Sequence, residues 1–214
     1  MSEQNGLKVL VLGGGQMGAA AAKYLVDDDE FSKVVVNDRD KERLDDLKNE
    51  VGNEKLTVKS VDATDEKMML DFMKQFDVGV MALPSKLATK ALEMCMKADL
   101  PLSDLTMSGE AWEDRISEGE KYHKKLIDKD IAYVPCCGLA PGITNVMVKH
   151  GANQLDHVDK AHVKVGGLPK NPQPPLDYKI TFVDVENMFR AYTGKSRLVR
   201  NGKLVEREAI SEVD

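Results

Sequence analysis

The stretch that decides the fold is Lys8-Val-Leu-Val-Leu-Gly-Gly-Gly-Gln-Met-Gly18. Its first five residues form a short, largely apolar run, which is typical of a strand buried on both faces of a parallel sheet. Three glycines follow, and from Met17 to Val26 the sequence becomes rich in alanine with helical spacing. The stretch therefore predicts a strand, a tight glycine turn and a helix, in that order.

The turn carries the pattern GxGxxG in Gly13, Gly15 and Gly18. The first glycine permits the tight exit from the strand, the second lets the backbone approach a pyrophosphate, and the third lets the helix pack close to the strand. The diphosphate then rests on the helix N-terminus at Gln16 and Met17, where N–H groups and the helix dipole favour negative charge. The pattern alone is weak, because glycine-rich turns also occur for purely structural reasons. Its place at the first strand–helix junction favours nucleotide binding.

An acidic residue, Asp38, closes the second predicted strand about twenty residues after the turn. A carboxylate there accepts hydrogen bonds from the ribose hydroxyls of adenosine and repels a 2′-phosphate, which favours NAD over NADP. The neighbouring Arg39 leaves NADP open, because a guanidinium can pair with that phosphate, stack on adenine or remain a solvated surface charge. The sequence predicts NAD, with NADP as the alternative cofactor.

Apolar runs and helical patterns alternate along the first 140 residues. The predicted strands span residues 8–12, 33–36, 56–61, 77–83, 101–105 and 131–134. Six strands that alternate with helices predict an α/β fold with a doubly wound parallel sheet of the Rossmann type, over residues 1–140.

Ligands of such sheets bind outside the carboxyl ends of the strands, so the residues that end the other strands are further candidates. These are Asp62 and Ala63 near the adenine, and Ala82, Leu83 and Pro84 beneath the ribose on the nicotinamide side. Asp104 ends the fifth strand, where it can meet a substrate amine or the nicotinamide carboxamide, and is the candidate catalytic residue. Helix capping is the alternative role for Asp62, and a turn or cap is the alternative for Asp104.

Beyond Pro141-Gly142 the sequence changes in character. It predicts a helix over 143–154, strands over 158–165 and 178–182, a short helix over 185–192 and, from Asn201-Gly202, a hairpin with a type I′ turn over 197–205. These few elements form a thin layer that is too small to enclose a hydrophobic core of its own. We expect residues 141–214 to form an incomplete α+β second domain.

The formal net charge of −6 over 214 residues argues against nucleic acids and anionic membranes as partners, because both need a basic surface. The sequence has no run of about twenty apolar residues and no signal-peptide pattern, which predicts a cytoplasmic protein. Cys95, Cys136 and Cys137 make no disulfide framework, so we expect reduced thiols and no metal site.

Two later segments, Cys137-Gly-Leu-Ala-Pro-Gly-Ile-Thr-Asn145 and Gly166-Gly-Leu-Pro169, resemble the saccharopine dehydrogenase-like family, and within it the branch of the lysine 6-dehydrogenases. The likeness extends to the glycine turn, to Val61-Asp-Ala-Thr-Asp65 and to Pro174-Pro-Leu-Asp-Tyr178. The resemblance implies an NAD(P)-dependent oxidoreductase that acts on a carbon–nitrogen bond of an amino acid, and residues 141–214 as the start of its catalytic and dimerisation domain.

The resemblance also implies a small-molecule substrate held between the nicotinamide and the second domain. Gly138, Pro141 and Gly142 would shape the floor, with helix N-terminal amides offered to a carboxylate, and Asn145 and Tyr178 would be polar contacts or else cap and packing residues. Members of the family are longer than this chain, so a non-catalytic nucleotide-binding remnant, or a subunit that needs a partner chain, is the alternative. A homodimer is the simplest expected assembly, because unpaired strands and apolar faces tend to find partners.

Overall fold

The computed structural model describes residues 6–61, 65–105, 119–175, 177, 189 and 192–211. The chain divides into two compact units, Met1–Val158 and Asp159–Asp214. Among the described residues, no helix combines the length and the apolar character that a membrane crossing requires.

A six-stranded parallel sheet forms the centre of the first unit. Its strands are β1 (Leu7–Leu12), β2 (Phe31–Asn37), β3 (Leu56–Lys59), β4 (Val78–Met81), β5 (Leu102–Asp104) and β6 (Tyr133–Val134). They lie in the order β3-β2-β1-β4-β5-β6, and every neighbouring pair is parallel. This order confirms the predicted Rossmann-type fold. The strand order reverses between β1 and β4, and ligands of such sheets bind at the carboxyl ends of the strands on either side of that switch point.

Helices connect these strands and cover the sheet. They are α1 (Gln16–Val26), α2 (Lys41–Val51), α3 (Glu66–Met73), α4 (Ser85–Lys97) and α5 (Gly119–Asp128), and α6 (Ile143–Ala152) follows β6. The side chains of β1 point alternately into two hydrophobic cores, because successive side chains of a strand lie on opposite faces of the sheet. Val9 and Val11 pack in one cluster with residues of α1 and α2, whereas Leu10 and Leu12 pack in the other with residues of α3 and α4.

The predicted strands of the sheet are all present, but several are shorter than predicted. The third ends at Lys59 instead of residue 61, and the fourth spans Val78–Met81 instead of 77–83. The apolar run after β4 continues into the turn, where the N–H of Ala82 still donates to the carbonyl of Leu12 at 2.8 Å. An apolar run at this edge of the sheet therefore indicates that its residues are shielded from solvent, but it does not locate the end of the strand.

In the second unit, β7 (Lys195–Arg200) and β8 (Lys203–Glu208) form an antiparallel hairpin. Asn201 and Gly202 have φ values of 53° and 72°, as a type I′ turn requires, so the predicted hairpin is confirmed. The predicted strand over 158–165 is wrong, since these residues have no regular structure and no strand of the described chain pairs with them. The elements predicted over 178–182 and 185–192 lie largely outside the described residues.

Candidate nucleotide-binding site

The glycine turn after β1 contains three different environments. Gly13 has a φ of +101°, and a Cβ atom there would lie 2.5 Å from the carbonyl oxygen of Ala82. A Cβ atom at Gly18 would overlap the carbonyl oxygen of Gly13. At Gly15, by contrast, a Cβ atom would meet no heavy atom within 4 Å among the described residues, its chain neighbours aside. The first and third glycines are therefore required by the protein's own backbone, whereas the second faces open space where a ligand can approach.

The two helices that begin at the switch point differ from α2 and α3, which begin elsewhere on the same edge. In the described part of the chain, α1 and α4 start at Gly15 and Pro84 with no side-chain cap and no acidic residue in the first turn. In α2 and α3, the carboxylates of Asp40 and Asp65 accept a hydrogen bond from the first turn. The first N–H groups of a helix lack intrahelical acceptors and carry partial positive charge. The crevice between β1 and β4 is thus flanked by two helix starts that suit an anionic ligand.

The carboxylate of Asp38, just after β2, lies against the glycine turn. Its Oδ2 accepts a hydrogen bond from the N–H of Gly14 at 2.6 Å, and its Oδ1 accepts one from the N–H of Asp40 at 3.0 Å. A carboxylate offers about four acceptor positions, so these two bonds leave capacity for ribose hydroxyls. The structure brings Asp38 and the turn together at the place where the sequence analysis located the adenosine ribose.

Two arginines lie close to this carboxylate. Arg39 is exposed, as a solvated surface charge would be. Arg43, which the sequence analysis missed, places Nη1 3.9 Å from Oδ2 of Asp38 and Nη2 3.4 Å from Oδ2 of Asp40. Its signal in the sequence is the spacing of three between Asp40 and Arg43 at a helix start, which brings opposite charges together.

The end of β4 lies across from the glycine turn. The carbonyl of Ala82 faces Gly13, Leu83 is half-buried, and Pro84 is exposed at the start of α4. These residues form the opposite wall of the switch-point crevice.

Asp62 and Ala63 lie outside the described residues, but the chain that leads to them is fixed. The N–H of Val61 donates to Oδ1 of Asn37 at 2.8 Å, and the Asn37 side chain is buried at the end of β2. The sequence analysis missed this positioning role of Asn37. Its signal is one polar residue that directly follows three buried valines in the same strand.

Asp104 is fully buried at the end of β5. The hydroxyl of Tyr133 donates to its Oδ2 at 2.8 Å, and the N–H of Cys137 donates to its carbonyl oxygen at 2.9 Å. The hydrogen bond between Tyr133 and Asp104 joins residues 29 positions apart, and no sequence pattern predicts it. The buried thiol of Cys95 lies near this carboxylate, and burial together with the negative charge of Asp104 raises its pKa from 9.0 to about 12.

This raised pKa predicts how stability responds to alkaline pH. Between about pH 9 and 12 the unfolded chain releases the Cys95 proton while the folded chain retains it, so the free energy of unfolding falls as the pH rises. From pH 8 to pH 10, wild type should lose about 1.4 kcal/mol more than a Cys95→Ala variant, as measured by urea unfolding. The cavity left by alanine lowers stability at both pH values alike, so it does not affect the difference. Equal losses in the two proteins would contradict the assigned burial of the thiol.

Gly138 and Gly142 approach each other closely ahead of α6. They form a parallel bridge, and Gly142 has a φ of +143° at which a Cβ atom would overlap the carbonyl oxygen of Gly138. Pro141, between them, is exposed. The predicted floor residues thus build a tight backbone turn that requires glycine at position 142.

The first backbone amides of α6 already donate hydrogen bonds within the protein. The N–H groups of Ile143 and Thr144 donate to the carbonyls of Gly138 and Leu139 at 2.9 and 3.1 Å. Asn145 acts as the cap, since its Oδ1 accepts the N–H of Gly142 at 2.9 Å. The expectation that these amides are offered to a substrate carboxylate is therefore not met in this structure. Tyr178 lies outside the described residues.

Family models match almost the whole chain. The model of the saccharopine dehydrogenase NADP binding domain covers residues 9–133, and that of the saccharopine dehydrogenase C-terminal domain covers residues 138–213. The chain belongs to the saccharopine dehydrogenase family. This confirms the resemblance seen in the sequence, and the class of cofactor predicted from the glycine turn, a nicotinamide dinucleotide, agrees with the family. The lysine 6-dehydrogenase branch stays a prediction.

One solved structure supports the family fold. The apo histidine-tagged saccharopine dehydrogenase (L-Glu forming) from Saccharomyces cerevisiae has a TM-score of 0.67 at 18% identity, over 95% of this chain and 44% of its own. An oxidoreductase from Agrobacterium radiobacter, in complex with NAD+, L-tartaric acid and magnesium, has a TM-score of 0.46 at 19% identity, over 60% of this chain and 34% of its own. The first likeness shows the fold alone, and the second is too weak to support an argument. The family member described here spans less than half the length of the yeast enzyme.

Proposed function

We propose that this member of the saccharopine dehydrogenase family binds NAD in preference to NADP and catalyses oxidation or reduction at a carbon–nitrogen bond of an amino acid. The observation that supports the cofactor best is the switch point, where the glycine turn bonds to the Asp38 carboxylate, Gly15 faces open space, and α1 and α4 both begin without a side-chain cap. Membership of the family supports the class of reaction.

The residues present fit a dinucleotide along the carboxyl edge of the sheet. Gly13 and Gly18 shape the turn, and the backbone of Gly15, Gln16 and Met17 holds the pyrophosphate at the start of α1. The further contacts that we propose are Asp38 and Arg39 at the adenosine ribose, Asp62 and Ala63 near the adenine, and Ala82, Leu83 and Pro84 on the nicotinamide side.

The preference for NAD rests on the charge beside the ribose. A 2′-phosphate would approach the carboxylate of Asp38, which is only 13% exposed and therefore weakly screened by solvent. Arg39 and Arg43 oppose this repulsion, but Arg43 already lies between two carboxylates, those of Asp38 and Asp40. The matching family model is described as NADP binding, so NADH and NADPH must be compared directly.

In the reaction that we propose, Ala82, Leu83 and Pro84 would hold the nicotinamide side of the cofactor, which would supply hydride transfer at the carbon that carries the nitrogen. Oxidation requires a neutral amine, so a proton acceptor or a chain of waters is needed nearby. Asp104 was the predicted catalytic residue, but its carboxylate is fully buried and accepts a hydrogen bond from the hydroxyl of Tyr133. We therefore propose that Asp104 positions Tyr133 instead of meeting the substrate itself.

The organisation of the chain follows from the same proposal. Residues 1–140 form the nucleotide domain and residues 141–214 contribute to the substrate and dimerisation domain, with Gly138, Pro141, Gly142, Asn145 and Tyr178 around the substrate. Exposed apolar side chains on α6, among them Val146 and Met147 at 62% and 65% exposure, suit a homodimer contact. A cytoplasmic location stays a prediction.

An amino-acid-dependent assay tests the proposed reaction. We expect the purified chain to reduce NAD+ when an amino acid is supplied, with lysine tested first, and to do so less well with NADP+. The Gly15→Ala variant is the control, because it removes the pyrophosphate approach without a clash. Cofactor binding with no turnover on any amino acid would contradict the proposed reaction. That result would favour the second candidate, a nucleotide-binding subunit that needs a partner chain.

A further inference from the structure

Two adjacent cysteines, Cys136 and Cys137, lie just after β6 at the carboxyl edge of the sheet. Both are half-buried thiols outside any disulfide. The backbone of Cys137 is fixed by its N–H bond to the carbonyl of Asp104 at 2.9 Å, and its Sγ donates to the carbonyl of Val134 at 3.3 Å. The pair is therefore held in place at the edge of the sheet where the cofactor is proposed to bind.

The two cysteines lie beyond the end of β6 at Val134, outside the alternation of the strand. In a β-strand, adjacent side chains point to opposite faces of the sheet, which would keep two neighbouring thiols apart. Cys136 instead has a φ of +61°, in the left-handed region that L residues rarely adopt. Strand geometry therefore does not fix the two thiols on opposite faces.

We propose that Cys136 and Cys137 form a modification site at which hydrogen peroxide closes a disulfide between the two adjacent residues. Peroxide first oxidises one thiol to a sulfenic acid and releases water. The second thiol then attacks that sulfur, the S–S bond forms, and the sulfenic oxygen leaves as a second water. Two thiols lose two electrons and two protons in total, and one peroxide is reduced to two waters.

Ring closure between neighbours has two consequences. Cα atoms joined by a trans peptide are about 3.8 Å apart, below the usual disulfide range, so the bond is strained and readily reduced again. The Cys137 sulfur also loses its proton and with it the bond to the carbonyl of Val134. The modification is thus reversible, and it alters the loop that leads through Gly138 to α6.

The third cysteine is an internal control for this chemistry. Cys95 is 1% exposed inside α4, beyond the reach of a soluble oxidant in the folded chain. Trypsin also separates it from the pair, because Cys136 and Cys137 lie on the peptide 130–149 and Cys95 lies on the peptide 91–97.

The test is peptide mass analysis of the purified chain after treatment with hydrogen peroxide, alkylation and tryptic digestion without reductant. We expect the peptide 130–149 to be lighter by two hydrogen atoms and to resist alkylation at both cysteines, and dithiothreitol to restore both sites. Oxidation of Met147 on the same peptide adds oxygen and is told apart by mass. A Cys95→Ser variant should behave as wild type, whereas Cys136→Ser and Cys137→Ser should not close the ring.

Three results would overturn the proposal: cysteines that gain oxygen atoms without losing the two hydrogens, a peptide linked to a second chain, or two thiols that stay open to alkylation. If the serine variants fail to fold by circular dichroism, the mass of the wild-type peptide still decides. This readout does not depend on cofactor binding, so its outcome is separate from that of the proposed function.

Discussion

Replacing Gly18 with alanine is expected to destabilise the first unit by about 3 kcal/mol or more. The new Cβ atom would overlap the carbonyl oxygen of Gly13, and a backbone oxygen in a tight turn cannot move aside as a flexible side chain can. Alanine is favoured over glycine inside a helix by about 1 kcal/mol, which is too little to offset the overlap. A loss of this size is a large part of the about 5–15 kcal/mol that stabilises a typical domain.

Urea unfolding of wild type, Gly18→Ala and Gly15→Ala measures this effect. Gly15 is the matched control, since it lies in the same turn, has an ordinary φ of −68° and offers open space to a Cβ atom. We expect Gly15→Ala to unfold like wild type or to be more stable by up to about 1 kcal/mol. If Gly18→Ala is as stable as Gly15→Ala, the close contact between α1 and the end of β1 is wrong.

An Asp38→Asn variant is expected to lose preference for NADH over NADPH by at least about tenfold, the equivalent of about 1.4 kcal/mol. The change removes the negative charge that repels a 2′-phosphate, while Arg39 and Arg43 remain to attract it. Asparagine also keeps one oxygen for the N–H groups of Gly14 and Asp40, so the turn retains part of its support.

Calorimetric titration with NADH and with NADPH measures this preference, and Asp40→Asn is its matched control. Asp40 lies two residues from Asp38 and carries the same charge, but it caps α2, and asparagine caps a helix about as well as aspartate. We expect the NADH to NADPH ratio to change much less in Asp40→Asn. Equal shifts in the two variants would mean that general surface charge, and not contact at the ribose, sets the preference.

The fold could be predicted from the sequence because local pattern and global topology agree in the first unit. The central strands β1, β2 and β4 contain apolar runs, since a parallel strand covered by helices on both sides buries both faces. Val9 and Leu10 illustrate this, as they are both fully buried but belong to different cores. The glycine turn could also be predicted from the sequence, because a positive φ at Gly13 and a close contact at Gly18 exclude side chains at these positions.

The remaining features depend on contacts between distant residues, which no spacing reveals. Asp104 pairs with Tyr133, and Asn37 holds Val61, across separations of 29 and 24 residues. The availability of the α6 N-terminus was mispredicted for a related reason. A helix N-terminus looks available in a sequence, whereas here the carbonyl of Gly138 already accepts the first amide.

Calorimetric titration of the chain and of its Gly15→Ala variant with NADH shows whether the glycine turn binds the nucleotide. We expect the wild-type chain to bind NADH and the variant, which unfolds like wild type or is more stable, to bind at least about tenfold more weakly. The reason is that a methyl group at Gly15 occupies the space through which the pyrophosphate reaches the backbone. Equal NADH affinity in the two folded proteins, or a folded wild-type chain that binds neither NADH nor NADPH, would contradict the assignment of this turn as the nucleotide site.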